Sequence, residues 1–493
     1  MIKQKTKKTL NLFYPVFLFI IFGSMNLYAA EGPALPKGLG GVSKPAADEG
    51  QPGLPAGLGK SSNDSGPALP KGLSTGNSPV KSKTGAQEKK SLLLPITGFI
   101  ETRFGMRLYE DPYEKDASMG EVRLQMELEK QINRFLFKCT TDIYYDAIPE
   151  DRSVNLEKGN ELIDLRELSA IFTAFDFMDI KAGRQILTWG TGDLVFINDL
   201  FPKDWQSFLI GRDTEYLKAP SDAVKVSIFT DPVNIDIVFT PRFDPDRFIS
   251  GERLSYWNGY RIAGSDSIIQ VDRPDDWMNN TELAVRLSKN IKGNEFALYG
   301  YRGYWKSPGG IDPSTFRYIF PQLNVYGASF RGQAGKGIGN IEAGYYDSRD
   351  DKSGNNPFIN NSQFRFLAGY EQDLPRLASD LTAGLQYYLE HIMDYNEYLE
   401  NLPSGMPAAD ENRHLFTLRI TKLFLNQNLT CSLFTYYSPS DQDFYLRPNI
   451  NYKFTDNLEG EIGANLFGGE HPYTFFGQFH DNTNVFMAVR YSY

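Results

Sequence analysis

Charged residues recur at every second position in several stretches of residues 91–493. Successive side chains of a β-strand point to opposite faces, so each such row would face one environment. Charges of both signs that line a pore create a transverse field, which sorts solutes by charge and orientation. Cross-strand pairs that only fill the wall are the alternative. The positions predicted to face inward are Glu101, Arg103, Arg107, Arg123, Glu127, Asp236, Glu282, Arg286, Arg365 and Glu371.

A second set of charges lies in one long predicted loop, residues 188–221. Asp199, Asp204, Arg212 and Asp213 are interspersed there with apolar runs such as Phe208-Leu209-Ile210. A loop this apolar needs somewhere to bury its side chains, and an interior enclosed by strands would supply that space. We therefore predict that this loop constricts the interior, with a cap outside it as the alternative. The loop at 242–280 places aromatic residues beside charged ones. This combination suits contacts with sugars or aromatic acids, but we favour its interpretation as a solvated interface.

Residues able to catalyse or to hold a metal form no recognisable motif. The four histidines, at 391, 414, 471 and 480, do not occur in H-E-x-x-H, and neither G-x-S-x-G nor a Gly-rich phosphate loop is present. Cys139 and Cys431 are outside any C-x-x-C setting. We predict no catalytic residue, no metal and no cofactor. The formal net charge of −10 also argues against nucleic-acid binding.

The elements that would position these charges are strands. From residue 91 onward, segments of nine to thirteen residues alternate apolar and polar side chains, which is typical of half-buried strands. One example is Val122, Leu124 and Met126 alternating with Arg123 and Gln125. The predicted strands start near residues 96, 119, 134, 162, 178, 222, 233, 281, 294, 322, 338, 362, 380, 412, 428, 443, 458 and 484.

The connections between these strands alternate between short and long along the whole chain. Residues 131–133 and 426–428 are short connections, whereas 188–221 and 242–280 are long. Outer-membrane barrels have tight turns on the periplasmic side and long loops outside, and closing the sheet pairs every backbone polar group within the bilayer. We predict an all-β protein with a closed antiparallel transmembrane barrel of about 18 strands (16–18), in the outer membrane of a Gram-negative cell.

The C-terminal strand carries a candidate assembly signal. Val489, Tyr491 and Tyr493 fall on one face of the last strand, and the chain ends on an aromatic residue. This pattern resembles the last-strand signal by which the barrel-assembly machinery recognises outer-membrane barrels. The machinery and the lipid bilayer are therefore the first two predicted partners.

Residues 1–30 have the features of a secretory signal peptide. Lysines near the start precede an uncharged apolar stretch, and Ala29-Ala30 supply small residues at its end. An uncleaved anchor is the alternative. The barrel domain itself is predicted to span residues 91–493.

Residues 31–90 are rich in Gly, Pro and Ser and lack the hydrophobic residues of a core. Three copies of P-x-L-P-x-G-L begin at Pro33, Pro52 and Pro67. We predict a disordered arm in the periplasm, because such a composition cannot offset the entropy of ordering. The arm is either a flexible tether or a peptide that docks on a periplasmic partner.

One stretch carries a family resemblance. Residues 180–190 are I-K-A-G-R-Q-I-L-T-W-G, followed by Gly192-Asp193 and by N-D-L-F-P-K-D at 198–204. The stretch resembles the G-R-Q-x-x-x-x-G strand end of alginate-export-like porins and of related uncharacterised outer-membrane porins. The resemblance implies a wide passive barrel that moves solutes or polysaccharide. Alginate exporters line the pore with many arginines, whereas the inward positions predicted here carry both signs.

Arg184 interrupts the alternation in this stretch. It is in phase with Ile180, Ala182 and Ile186, which would direct it toward lipid. Such placement costs about 2–4 kcal/mol near the bilayer midplane. We predict that a β-bulge turns Arg184 inward, where it joins the constriction candidates. Snorkelling to the interface is the alternative.

These features together predict a porin for passive passage of small polar or charged solutes, and not an enzyme. The first alternative is a binding or structural barrel that forms a sleeve or an anchor for a periplasmic partner such as a cytochrome. A more remote alternative is an outer-membrane hydrolase. No plug domain is expected before the barrel, because residues 31–90 have too few hydrophobic residues.

Overall fold

A computed structural model describes residues 96–149, 154–159 and 162–493 of the chain. Eighteen long strands form one antiparallel sheet. The sheet is closed, because its first strand, Ile96–Arg107, pairs with Ala117–Ile132 on one side and with the last strand, Asn484–Ser492, on the other. This confirms the predicted closed 18-stranded antiparallel barrel. The predicted signal peptide, the arm with its three repeats, and residues 91–95 lie outside the described residues.

The barrel strands, in chain order, are β1 (Ile96–Arg107), β2 (Ala117–Ile132), β3 (Phe135–Asp146), β4 (Ile163–Phe175), β5 (Met178–Ile186), β6 (Pro220–Phe229), β7 (Asn234–Thr240), β11 (Glu282–Ile291), β12 (Asn294–Tyr304), β15 (Gln322–Ala334), β16 (Gly337–Ser348), β17 (Gln363–Asp373), β18 (Leu381–Ile392), β19 (Asn412–Phe424), β20 (Leu429–Ser438), β21 (Asp443–Lys453), β22 (Leu458–Gly469) and β23 (Asn484–Ser492).

The loops contain short elements of their own. Five two-residue strands are β8 (Tyr256–Trp257), β9 (Ile262–Ala263), β10 (Val271–Asp272), β13 (Gly310–Ile311) and β14 (Tyr318–Ile319). Helices α1 (Trp205–Ile210) and α2 (Tyr395–Asn401) and the 3-10 turns Thr214–Leu217 and Gly477–Asn482 complete the set. In the described part of the chain, no helix has the length and apolar character needed to cross a membrane.

The two rims of the barrel differ in their connections, as the sequence predicted. All eighteen strands begin within two residues of their predicted starts. The turns at 133–134 and 292–293 lie at one rim, which we call the short-turn rim, and the loops at 187–219 and 241–281 lie at the other, the long-loop rim. The connection 439–442 is an exception, since it is short but lies at the long-loop rim.

The wall has a polar inner face and an apolar outer face. On β1, Glu101 and Arg103 are 4% and 2% exposed, whereas Ile100 and Phe104 between and beside them are 48% and 47% exposed. The same alternation follows from the pleat of every strand, because neighbouring side chains point to opposite faces. Large exposed apolar side chains therefore form a band around the outside of the barrel.

Tyr493 stabilises the junction between β23 and β1, where the sheet closes. Its backbone N–H donates to the carbonyl oxygen of Gly98 at 3.0 Å, and its hydroxyl donates to the carbonyl oxygen of Gln125 on β2 at 3.0 Å. A Cβ at Gly98 would lie 2.0 Å from that same carbonyl oxygen, so only glycine fits there. The last residue thus contacts the first two strands as well as its own.

Candidate functional site: the lumen and its inserted segment

The connection between β5 and β6, residues 187–219, lies inside the barrel; we call it the inserted segment. Its apolar side chains are buried, including Ile197, Phe208 and Leu209. They pack against inward-facing aromatic residues of the wall, such as Tyr445, whose ring lies 5.7 Å from that of Phe208 in an edge-to-face arrangement. Burial of this apolar surface is the force that draws the segment into the lumen. The segment is therefore not an outer cap.

The outgoing half of the inserted segment crosses to the far wall. The carboxylate of Asp193 pairs with the guanidinium of Arg419 on β19, with Nη2 and Oδ1 2.7 Å apart. The amide of Gln386 on β18 accepts from the backbone N–H of Asp193 and donates to its carbonyl oxygen, both at 2.8 Å. The hydroxyl of Tyr436 on β20 donates to the carbonyl oxygen of Leu194 at 2.7 Å.

Glu342, on the inner face of β16, holds the backbone of the same half. Its carboxylate accepts from the N–H groups of Thr191 at 2.9 Å, Gly192 at 3.2 Å and Asn198 at 2.8 Å. The side chain is almost fully buried. Buried N–H groups need a hydrogen-bond acceptor, and this one carboxylate serves three of them. It therefore fixes the path of the backbone through Thr191, Gly192 and Asn198.

The returning half of the segment is built on helix α1. Asp204 caps its start by accepting from the N–H of Ser207 at 2.8 Å. Gly211 ends it in the left-handed region at φ +98°, and a Cβ there would lie 2.5 Å from the ring of Phe486. The guanidinium of Arg103 donates to the carbonyl oxygen of Gly211 at 2.8 Å, which ties the helix end to β1.

Arg212 joins the segment to a buried charge cluster on β2 and β3. It pairs with Glu121 at 2.6 Å, and Glu121 also pairs with Arg123 at 3.1 Å. Burial acts to lower the pKa of Arg212, but the neighbouring carboxylate of Glu121 outweighs it and holds that pKa above its ordinary value. The side chain of Arg253 enters from loop 241–281 and pairs with Asp146.

The first part of loop 241–281 is therefore a second internal anchor, and the interpretation as a solvated interface is wrong for that part; further along the loop, Tyr260 and Trp277 are 80% and 59% exposed. Arg247 pairs with Asp164 of β4 at 2.8 Å and with Asp204 of the inserted segment at 3.2 Å. Phe243 and Leu254 of the same loop are buried. The loop packs on the inserted segment at the long-loop rim because its charges find buried partners.

A cavity of about 200 Å³ remains between the inserted segment and the wall. It extends from Leu194 and Asp213 of the segment to Asn451 and Glu459, which lie close to the short-turn ends of their strands. The charged side chains that line it are Arg419, Arg447, Arg490, Glu101, Glu459, Glu461 and Asp213.

Within the described part of the chain, Arg447 is the cation of this cavity that has no acidic partner. Its Nη2 donates to the carbonyl oxygen of Arg212 at 2.7 Å, and the guanidinium lies 4.8 Å over the ring of Phe208. Its buried Nη1 has no hydrogen-bond partner within the described residues. Arg490 differs, since it pairs with Glu101 at 2.8 Å. Arg447 therefore adds a positive charge to the cavity lining that no carboxylate of the described residues neutralises.

The predicted inward charges fall into three groups. Glu101 and Asp213 line the cavity, and Arg103 lies behind it, paired with Glu461 at 2.7 Å. Arg107 and Arg123 are buried in the contacts with the two long loops. Those away from the cavity are Asp199, which pairs with Lys203 at 3.0 Å, Asp236 and Arg286, which pair with each other at 3.8 Å, and Glu127, which is exposed near the short-turn rim.

Arg184 is not turned inward by a bulge, so that prediction is wrong. It pairs in register with Leu168, whose side chain is exposed on the outer face. The guanidinium instead reaches Asp222 at 3.1 Å and the carbonyl oxygen of Leu165 at 2.7 Å, close to the long-loop end of β5. These hydrogen bonds hold the guanidinium of Arg184 at the rim, which corresponds to the snorkelling alternative. The bulge of this region lies in β4, where Arg166 is the extra residue opposite β3.

Several residues of the site were missed from sequence, above all Arg447, Arg419 and Glu342. The signal for Arg447 was present, because Tyr445, Arg447 and Asn449 alternate as the inner face of β21. Nothing in the local pattern of β16 or β19 indicates that Glu342 and Arg419 meet residues 191–198, which are far away in sequence.

Within the described ranges, no group of three or more His, Cys, Asp or Glu side chains is arranged to hold a metal ion. His391 contacts the side chain of Asn412 at 2.9 Å, and His414 contacts the hydroxyl of Tyr387 at 2.8 Å. Cys139 and Cys431 are free thiols. These contacts give no support to the hydrolase alternative.

No protein-family model and no curated protein matches the sequence. Solved structures with a similar architecture include OccK11 (OpdR) of Pseudomonas aeruginosa, with 9% identity, 80% of this chain and 95% of that chain covered, and a TM-score of 0.47. OccAB1 of Acinetobacter baumannii is 9% identical, with 80% of this chain and 95% of that chain covered and a TM-score of 0.45. OmpF of Salmonella typhi in complex with daunomycin is 9% identical, with 81% of this chain and 97% of that chain covered and a TM-score of 0.41. Likenesses this weak carry no statement about solutes, and the alginate-export-like resemblance stays a prediction.

Proposed function

We propose that this protein is an outer-membrane channel for small polar or charged solutes, and that the inserted segment narrows its lumen. The observation that carries the proposal is the cavity left between that segment and β19–β23, in a closed sheet whose outer face is apolar. A solute on this route would pass a charged, partly hydrated surface and not a packed core.

The membrane location is supported by the outer face of the barrel. Side chains such as Leu298 and Ile462 are 57% and 62% exposed in mid-strand, and many similar ones surround the wall. A soluble protein seldom exposes so large a contiguous apolar surface. In a bilayer the same surface meets hydrocarbon, and the closed sheet leaves no unpaired backbone groups. The long loops would then face outward and the short turns the periplasm.

The assembly machinery is part of this proposal. On β23, Val489 and Tyr491 are 55% and 51% exposed on the outer face, and Tyr493 contacts both β1 and β2. An apolar terminal strand is accessible to a recognition factor before closure, and it then forms the last seam. We propose this strand as the element that the barrel-assembly machinery binds.

Arg447 supports a solute that carries a negative group. Guanidinium groups form short bidentate hydrogen bonds with carboxylates and phosphates, and Arg447 lines the cavity without an acidic partner among the described residues. The neighbouring acids Glu459 and Glu461 would repel a dianion that came too close to them, so a single anionic group next to polar or cationic groups fits the lining best.

Planar-bilayer recording on the purified, refolded protein tests this function. A channel should give discrete, ohmic conductance steps, and a salt gradient across the bilayer should show preference for one sign of ion. Insertion that is verified by protease protection but gives no steps would overturn the channel and would favour the sleeve or anchor for a periplasmic partner. In that case the arm at 31–90 is the segment to test for partner capture.

A further inference from the structure

The outer wall of the barrel contains a groove of about 350 Å³, well away from the lumen. It lies on β11, β12 and β15, close to the long-loop rim. Gly300 opens it, because no atom lies within 4 Å of the place where a Cβ would stand. Leu283 and Val285 form one side, and Tyr326, which is 59% exposed, forms another.

Two arginines border the rim end of this groove. Arg302 is on the outer face of β12, two residues before that strand ends, and Arg349 follows the last residue of β16. Neither side chain forms an ion pair or hydrogen bond with the described part of the chain. Asp347, an acid on the same face, accepts a hydrogen bond from Asn324 at 3.0 Å.

Such a combination is unusual on a face that meets lipid. Arginine on the lipid face is costly in mid-membrane, and the cost falls to about 0–1 kcal/mol near the interface. Strands rise about 3.4 Å per residue, so Arg302 lies within roughly 7 Å of the end of β12. At that depth a guanidinium meets lipid headgroups, while Leu283 and Val285 below it meet acyl chains. Charge complementarity then favours an anionic headgroup.

We propose that this groove binds an anionic lipid of the outer leaflet whose negative charge is carried by phosphate. The phosphate lies between Arg302 and Arg349, and one acyl chain lies over Gly300 against Leu283 and Val285. Two guanidinium groups supply the bidentate geometry that phosphate accepts best. The proposal rests on the proposed function only for the membrane location, since the groove is separate from the cavity.

Native mass spectrometry of the full chain in detergent, titrated with bisphosphorylated lipid A, tests this binding. The wild type should retain one lipid, and phosphatidylcholine at equal concentration should not displace it. The double variant Arg302→Gln/Arg349→Gln should bind about a hundredfold more weakly or worse, since it loses at least two charge-assisted hydrogen bonds and each is worth about a factor of ten or more. Arg376→Gln removes the same charge from an exposed turn at the opposite rim and should bind like the wild type.

A second variant blocks the groove by volume and leaves both arginines in place. Gly300→Leu puts an apolar side chain into the open space on a lipid-facing strand, so the barrel should fold and show normal heat-modifiable migration. Its lipid retention should fall as in the double variant. Unchanged retention in both variants would overturn the proposal. Full displacement by inorganic phosphate would also overturn it, because it would identify a free-anion site and not a lipid site.

The outcome is separable from that of the channel. Conductance recorded on the same samples should be equal in the wild type, the double variant and Gly300→Leu, because the substituted residues lie on the outer face of the barrel or at its rim and do not line the cavity. Lipid retention without conductance would disprove the channel and leave the lipid site standing. Conductance without lipid retention would disprove the lipid site and leave the channel standing.

Discussion

Asp193 and Arg419 form an ion pair across the width of the barrel. Asp193 follows the end of β5 by seven residues, and Arg419 is on β19, which is the ninth strand away in either direction around the ring of eighteen. The inserted segment is thus attached to the wall opposite its origin. The pair is about one-third exposed, so it contributes little to global stability, but it fixes where the segment crosses the lumen.

Breaking this pair should loosen the tip of the segment. Asp193→Asn and Arg419→Gln should each increase open-channel current noise and mean conductance, with little change in the thermal midpoint of unfolding. The charge swap Asp193→Arg/Arg419→Asp should return the noise toward the wild-type level. Glu371→Gln, an exposed acid on the inner face of β17, serves as the control. Equal noise in all variants would mean that the pair does not hold the segment.

Removing the carboxylate of Glu342 should affect the segment more strongly. Glu342→Ala leaves three backbone N–H groups without their acceptor, and each buried unsatisfied group costs about 1–3 kcal/mol. The segment should respond by leaving the wall, which limited proteolysis would detect as new cleavage within residues 190–198. Glu342→Gln retains an acceptor oxygen and should be cleaved more slowly than the alanine variant. Resistance of both variants equal to that of the wild type would contradict this role.

Arg447 should set the charge preference of the channel. Replacing it with glutamine removes the one cavity guanidinium that has no acidic partner within the described residues, whereas Glu101, Glu459 and Glu461 remain. The reversal potential in a salt gradient should therefore shift toward cation preference. Arg376→Gln, in an exposed turn, is the matched loss of one positive charge and should shift it much less. A shift of equal size in both variants would assign the preference to overall charge.

Glu215 should make the stability depend on pH. Burial raises the pKa of Glu215 to about 7, and the negative charges of Asp213 and Asp142 raise it further. The positive charges of Arg490 and Arg166 act in the opposite direction but do not cancel the rise. The folded chain then holds this proton more tightly than the unfolded chain, so the free energy of unfolding falls as the pH rises from about 4.5 to 7.

The variant Glu215→Gln should lose that part of the pH dependence. Its thermal midpoint, followed by heat-modifiable gel migration between pH 5 and pH 8, should decline less than that of the wild type. Glu371→Gln should keep the wild-type slope. If Glu215→Gln and the wild type decline in parallel, Glu215 is not the titrating group.

The strands could be predicted because their signal is local. A two-residue period and the segregation of short and long connections depend only on neighbouring residues, and together they located the starts of the eighteen strands within two residues. Burial of Phe208 and Leu209 was also predictable, since the lumen is where an apolar loop at the barrel rim can remove its side chains from water.

The contacts of the site were not predictable in this way. Asp193 meets Arg419 across more than two hundred residues of sequence, and strand periodicity gives no information on what an inward side chain faces. Arg184 shows a different limit. Its phase on β5 was correctly assigned, but the choice of a bulge neglected that a long side chain near a strand end can reach carbonyl oxygens at the rim.

The central claim is that the inserted segment sets the width of the pore, and shortening the segment tests it most directly. Thr188 donates to Asp199 at 2.8 Å, and the rings of Trp189 and Phe201 are 4.9 Å apart, so the two ends of the excursion at 190–198 are already close together. A short Gly-Ser linker can therefore replace residues 190–198 without moving either end.

Single-channel conductance of this replacement variant should be compared with that of the wild type under the same salt. The account predicts a folded, heat-modifiable barrel whose conductance steps are severalfold larger, because nothing then crosses to β16–β20. Steps of wild-type size from a correctly folded variant would contradict it.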